Sequence, residues 1–159
     1  MTARPTAEFQ THHDIDAPSV DARSFRQAWR VRTRLDGLLR DGFVSLAAYD
    51  AGKRWRKDWE MALERSAGTR LDAVGCGNGG ASGGPIVRIA AMGRLRVVAD
   101  AVGGYAWCML VLVVAQDRPW TEVGRQLGCA HTTAPRHAAK ALTALARHYQ
   151  RVDAAAAAR

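Results

Sequence analysis

At 159 residues and 48% apolar content, the chain can bury one core of ordinary domain size and leave some loose ends. Lys and Arg outnumber Asp and Glu by 23 to 15, a net charge of +8 that points to nucleic acid or another anionic surface and away from small acidic partners. Cys76, Cys108 and Cys129 are odd in number and far apart, which excludes a disulfide framework or a short-spaced zinc site and suits reduced intracellular thiols.

Residues 1–20 mix Pro, Thr, His and Asp without periodicity and read as a disordered arm, with no apolar run of signal-peptide length. From Asp21, "DARSFRQAWRVRTRLDGLLRDG" places Phe25, Trp29, Leu35, Leu38 and Leu39 at near-helical spacing, with Gly42 set to end the helix. Ser45 is then an N-cap candidate for a second helix, along which Tyr49, Gly52, Trp55, Trp59 and Leu63 fall on roughly one side.

The stretch 66–84 is so rich in glycine that it reads as a flexible loop. It lacks the Gly-Lys-Ser/Thr ending and the preceding apolar strand of a phosphate-binding loop. Because long flexible loops cost little more than short ones, replacing Gly75 to Gly84 by a short Gly-Ser linker is expected to leave the thermal midpoint nearly unchanged. A fall of many degrees in a melting curve would overturn that expectation.

Pro85 suits the first turn of a third helix, which carries Ile86, Ile89, Ala90, Met92, Val97 and Val98 up to the stop at Gly103 and Gly104. "YAWCMLVLVVA", residues 105–115, is about half the length of a membrane span and reads as a buried helix. Asp117 and Pro119 make a turn, and "TEVGRQLG" is a short helix with Val123 and Leu127 facing inward and Gly128 at its end. The last helix takes Thr132 as its N-cap, which puts Pro135 among the first-turn positions whose N–H groups have no intrahelical partner. Residues 152–159 are an alanine-rich tail.

In that last helix Ala138, Leu142, Leu145 and Tyr149 form one apolar stripe, while Arg136, Lys140, Thr143, Arg147 and Arg151 repeat the same intervals on the other face. No Asp or Glu occurs from Thr132 to Arg151, whereas a merely solvated face usually mixes both signs. A helix that packs on one side and is cationic on the other has the form of a recognition helix in a helix-turn-helix.

"EVGRQLGCAHTTAPRHAAKALTAL" resembles the helix-turn-helix of bacterial sigma-factor region four and related regulators, through Glu122, Val123, Gly124, Leu127, Gly128, Thr133, Ala141, Leu142 and Leu145. Gly124 stands where that family usually has Ala, and Pro135 falls early in the second helix. Over residues 30 to 150, "YDAGKRWRKDWEMAL" with the Gly-rich insert and the "LARHY" ending is similar to an uncharacterised bacterial and prophage domain family. These resemblances imply a helical, nucleic-acid-associated domain, phage-related in the second case.

The expected fold is all-α: about five helices in a single domain over 21–151, with the helix-turn-helix region at 105–151 docked on the apolar helix at 105–115. The candidate DNA-binding residues are Arg125, His131, Thr132, Thr133, Arg136, His137, Lys140 and Arg147. Lys53, Arg54, Arg56 and Lys57, around Trp55 and Trp59, are a second set of candidate phosphate contacts, although a Trp pair at i, i+4 is more often core. His12, His13, His131, His137 and His148 show no metal-ligand spacing, and nothing carries the signature of a catalytic site or a cofactor.

The expectation is therefore a cytoplasmic, non-enzymatic DNA-binding protein, a transcriptional regulator first, with double-stranded DNA as partner. RNA polymerase, phage proteins and further copies of the chain are secondary candidates, and no membrane is involved. A prophage-derived DNA-packaging or recombination adaptor, and a protein-interaction module for an acidic partner, stand as alternatives.

Overall fold

A computed structural model describes residues 15–20, 27–63 and 85–158. An antiparallel ribbon of β1 (Ile15–Val20) and β2 (Gln27–Val31) precedes six helices. They are α1 (Arg34–Arg40), α2 (Leu46–Leu63), α3 (Pro85–Val102), α4 (Gly104–Leu110, continuing as a π-helical turn over Val111–Ala115), α5 (Trp120–Leu127) and α6 (Ala134–Ala157). Among the described residues the body is all-α, with six helices rather than about five. The Gly-rich stretch 66–84 and the histidines His12 and His13 lie outside the described residues.

The ribbon corrects two expectations. Residues 15–20 are a strand rather than part of a disordered arm, and the helix expected from Asp21 begins only at Arg34. The reason is local: Thr33 and Asp36 form a capping box, in which the Thr33 hydroxyl accepts from the Asp36 N–H while the Asp36 carboxylate accepts from the Thr33 N–H at 2.9 Å. That fixes the helix start, and Trp29 and Val31 before it are residue types that suit a strand. Asp36 also accepts from the Tyr49 hydroxyl at 2.7 Å, tying α1 to α2. As expected, Gly42 ends α1: in left-handed conformation it passes the chain back so that the Gly42 and Phe43 N–H groups cap Leu39 and Leu38. Ser45 caps α2, accepting from the Ala48 N–H.

The core lies where α2, α3, α4 and α6 meet. Trp55 is fully buried, stacked on Trp59 and edge-on to Trp107, so the tryptophan pair belongs to the core. Gly52 lets α2 approach α6, since a Cβ there would lie 2.9 Å from a Leu142 methyl. Asp58, also buried, is held by the Arg94 guanidinium of α3 at 2.6–3.1 Å. Two apolar assignments fail: Leu63 is exposed, and α3 buries Ala91, Leu95 and Val98, leaving Ile86, Ile89, Ala90, Met92 and Val97 outward. No helix among the described residues is long and apolar enough to cross a membrane.

Candidate nucleic-acid interface

The region of interest is built from α4, α5 and α6. Buried Met109, Leu110 and Leu112 to Val114 make α4 the apolar support against which α6 packs, and α5 leans on both. Asp117, in the turn after α4, accepts from the Arg34 N–H at 2.6 Å and so fixes that turn to the start of α1. Val123 of α5 is fully buried, while Leu127 is half-buried.

The turn between α5 and α6 is tight. Gly128 closes α5 at φ 66° and ψ 30°, a left-handed conformation that side chains other than Gly or Asn disfavour, and the Cys129 N–H then donates to the Gly124 carbonyl at 2.9 Å. The turn passes so close over α5 that a Cβ on Gly124 would sit 2.5 Å from the Cys129 carbonyl oxygen. The glycine at position 124 thus has a steric cause in this chain.

The last helix starts one residue later than the sequence indicates. Its N-cap is Thr133 rather than Thr132, and Pro135 occupies the second helical position, still within the first turn where no N–H is missed. Thr133 makes no side-chain cap; its hydroxyl donates back to the Ala130 carbonyl at 2.9 Å. The turn over 130–133 is itself closed by backbone bonds from the Thr133 and Ala134 N–H groups to Ala130.

Along α6 the two expected stripes separate cleanly. Ala138, Leu142, Leu145 and Tyr149 are buried; Arg136, Lys140, Thr143, Arg147 and Arg151 are exposed. Burial pushes the Tyr149 hydroxyl up to about 12, so it stays protonated at neutral pH, beneath the Arg54 guanidinium. Over the fifteen-residue span from Arg136 to Arg151 the outer stripe runs about 22 Å. None of its four cations forms an ion pair among the described residues, nor does Arg125 on α5. Glu122 is already engaged by Arg118 and by the Gln126 amide.

The remaining candidates divide. His131 and Thr132 are exposed in the turn, while His137 is half-buried with its ring edge-on to Tyr105, centroids 5.8 Å apart. Tyr105 is absent from the sequence-based set. Half exposed, its ring lies against His137 in the first turn of α6, and partial desolvation with Cys129 nearby holds its hydroxyl above the ordinary value. No spacing rule signals this, because the contact joins two elements. His148 is buried, and burial with Arg151 and Arg54 nearby holds it below the usual histidine range.

The amino-terminal set lies at the surface, and three of its four cations have partners in the chain. Arg54 pairs with Asp153 at 3.0 Å, Arg56 with Glu60 at 2.8 Å, and Lys53 lies over the Tyr49 ring, leaving Lys57 exposed without an ion pair among the described residues. Among the described residues no three His, Cys, Asp or Glu side chains are grouped to hold a metal. No family model, curated protein or solved structure matches the chain.

Proposed function

We propose that the protein is a DNA-binding protein, a transcriptional regulator acting in the cytoplasm without catalysis, that uses α5, its turn and α6 as a helix-turn-helix. The observation that carries the reading is the row of unpaired cations on α6. Arg40, Arg56 and Arg118 each pair with an acid, whereas Arg88 and Arg96 stand singly on α3 without an ion pair among the described residues. What sets α6 apart is the row: Arg136, Lys140, Arg147 and Arg151 form no ion pair among the described residues and follow one another along one face of a rigid helix, spaced to meet a row of phosphates.

In this reading His131, Thr132, Thr133, Arg136, His137 and Lys140 enter the major groove with the first turns of α6, whose width admits one helix. Arg147, and Arg125 from α5, meet the flanking phosphates. At 24 residues α6 is longer than the groove is wide, so its later turns serve as backbone contacts and as packing for α2.

The test is a triple variant, Arg136→Gln, Lys140→Gln and Arg147→Gln, in duplex-binding titrations over a range of salt. Gln is a good helix former, so circular dichroism should not change. Removing one phosphate contact lowers the slope of log affinity against log salt by about 0.9 in magnitude. The comparison variant changes Lys53, Arg54, Arg56 and Lys57 to Gln and is expected to leave binding close to wild type, because Arg54 and Arg56 are already paired internally. Loss of binding in the comparison variant alone would overturn the assignment. If the unaltered protein binds no duplex at low salt, the basic face belongs to an acidic protein partner instead.

A further inference from the structure

The outer face of α3 has no explanation among the described residues. Its inner side is accounted for by Ala91, Leu95 and Val98 in the core and by Arg94 on Asp58. Diametrically opposite, Ile86, Ile89, Ala90, Gly93, Val97 and, at the carboxy-terminal end, Asp100 fall within a stripe roughly 100° wide, with Arg96 and Met92 on its flank. Ile86 is 82% exposed, Ile89 68%, Val97 56% and Met92 52%. The solvent side of a surface helix is ordinarily polar, and a contiguous patch of large apolar side chains marks a place where something docks. Gly93 sits in the middle of this stripe. A Cβ there would meet nothing within 4 Å, so no contact among the described residues requires a glycine that weakens the helix.

We propose that this face is a homodimer interface in which two α3 helices cross antiparallel about a two-fold axis at Gly93. The centre of the stripe is self-complementary about that residue: Ile89, four positions before it, meets Val97 of the second copy, four positions after it, and glycine faces glycine where the backbones come closest, while Ile86 and Ala90 meet the polar edge at Asp100 and Arg96. The charges favour the antiparallel sense. It sets each Asp100 against the amino-terminal end of the other α3, where unpaired N–H groups favour a carboxylate, whereas a parallel pair would bring Asp100 to Asp100 and Arg96 to Arg96. A single-helix stripe of a few large side chains falls short of the about 800 Å² per partner of a standard interface. The dimer is therefore concentration-dependent rather than permanent.

Sedimentation equilibrium on the full chain tests this without DNA, so the result stands apart from the DNA reading. The mass is expected to rise from 17.3 kDa toward twice that value across the micromolar range. Ile89→Glu with Val97→Glu should hold the monomer at every concentration and leave circular dichroism and the thermal midpoint of the dilute protein unchanged, since both side chains are exposed in the single chain. Gly93→Ala should raise that midpoint yet weaken the dimer at least tenfold. A mass of 17.3 kDa throughout, a dimer or larger assembly indifferent to these changes, or a large fall in midpoint in the glutamate variant would each overturn the proposal. The last outcome would mean that the chain's own residues cover the face.

Discussion

Truncating Trp55 to alanine is expected to remove about 3–5 kcal/mol of folding stability, the range for a large aromatic side chain in a core. Trp55 is fully buried, with its ring centroid 5.3 Å from that of Trp59 and 5.4 Å from that of Trp107, and it joins α2 to α4. At this chain length each kcal/mol moves the thermal midpoint by about 2–4 °C, which makes the fall roughly 6–20 °C. Trp55→Phe separates packing from polarity. The indole N–H of Trp55 is buried with no hydrogen-bond partner among the described residues, a cost that phenylalanine removes while it keeps most of the ring packing. It should lose less than half as much as alanine. Chemical denaturation of both variants checks the order, and a Trp55→Ala protein that keeps its stability would show that the ring is not a core element.

Trp55 also illustrates what the sequence makes legible. Spacing alone leaves it divided between core and a base-stacking platform, because a tryptophan at i, i+4 from another is compatible with both. Its place in the core is decided by Trp107, 52 residues further on, a partner that no local pattern names. The α6 stripes are readable because an uninterrupted helix converts spacing directly into direction.

The outward side of α3 is illegible for the complementary reason. That helix is apolar on both sides, so composition does not say which side faces inward. The helix expected from Asp21 fails on one local device, the Thr33 and Asp36 box, whose sequence signature is masked by an apolar period running through it. For the candidate interface, the individual cations are visible in the sequence, but their freedom is not: whether an arginine is free depends on acids brought near by folding, as Asp153 is brought to Arg54 across 99 positions.

The second large effect lies in the turn. Gly124→Ala is expected to destabilise the protein by about 1–3 kcal/mol, the range for forcing extra volume into a close-packed site. The sign is the informative part. In an open helix the same change would favour folding by about 1 kcal/mol, because alanine restricts the unfolded chain and glycine does not. Here the added methyl would stand 2.5 Å from the Cys129 carbonyl oxygen and 3.2 Å from the His131 nitrogen, both backbone atoms that cannot swing away as a side-chain tip could.

Relief requires the turn over 129–133 to lift from α5, which also stretches the 2.9 Å bond from the Cys129 N–H to the Gly124 carbonyl and tilts the start of α6. If α5 and α6 act together on DNA, duplex affinity should fall by more than the loss of folded protein accounts for, at temperatures well below the midpoint. Gly37→Ala in α1 is the control, since a methyl there meets nothing within 4 Å and should stabilise. Opposite signs for the two variants in chemical denaturation are the expected result. Equal stabilisation by both would mean that the turn does not press on α5, and the steric account of Gly124 would have to be abandoned.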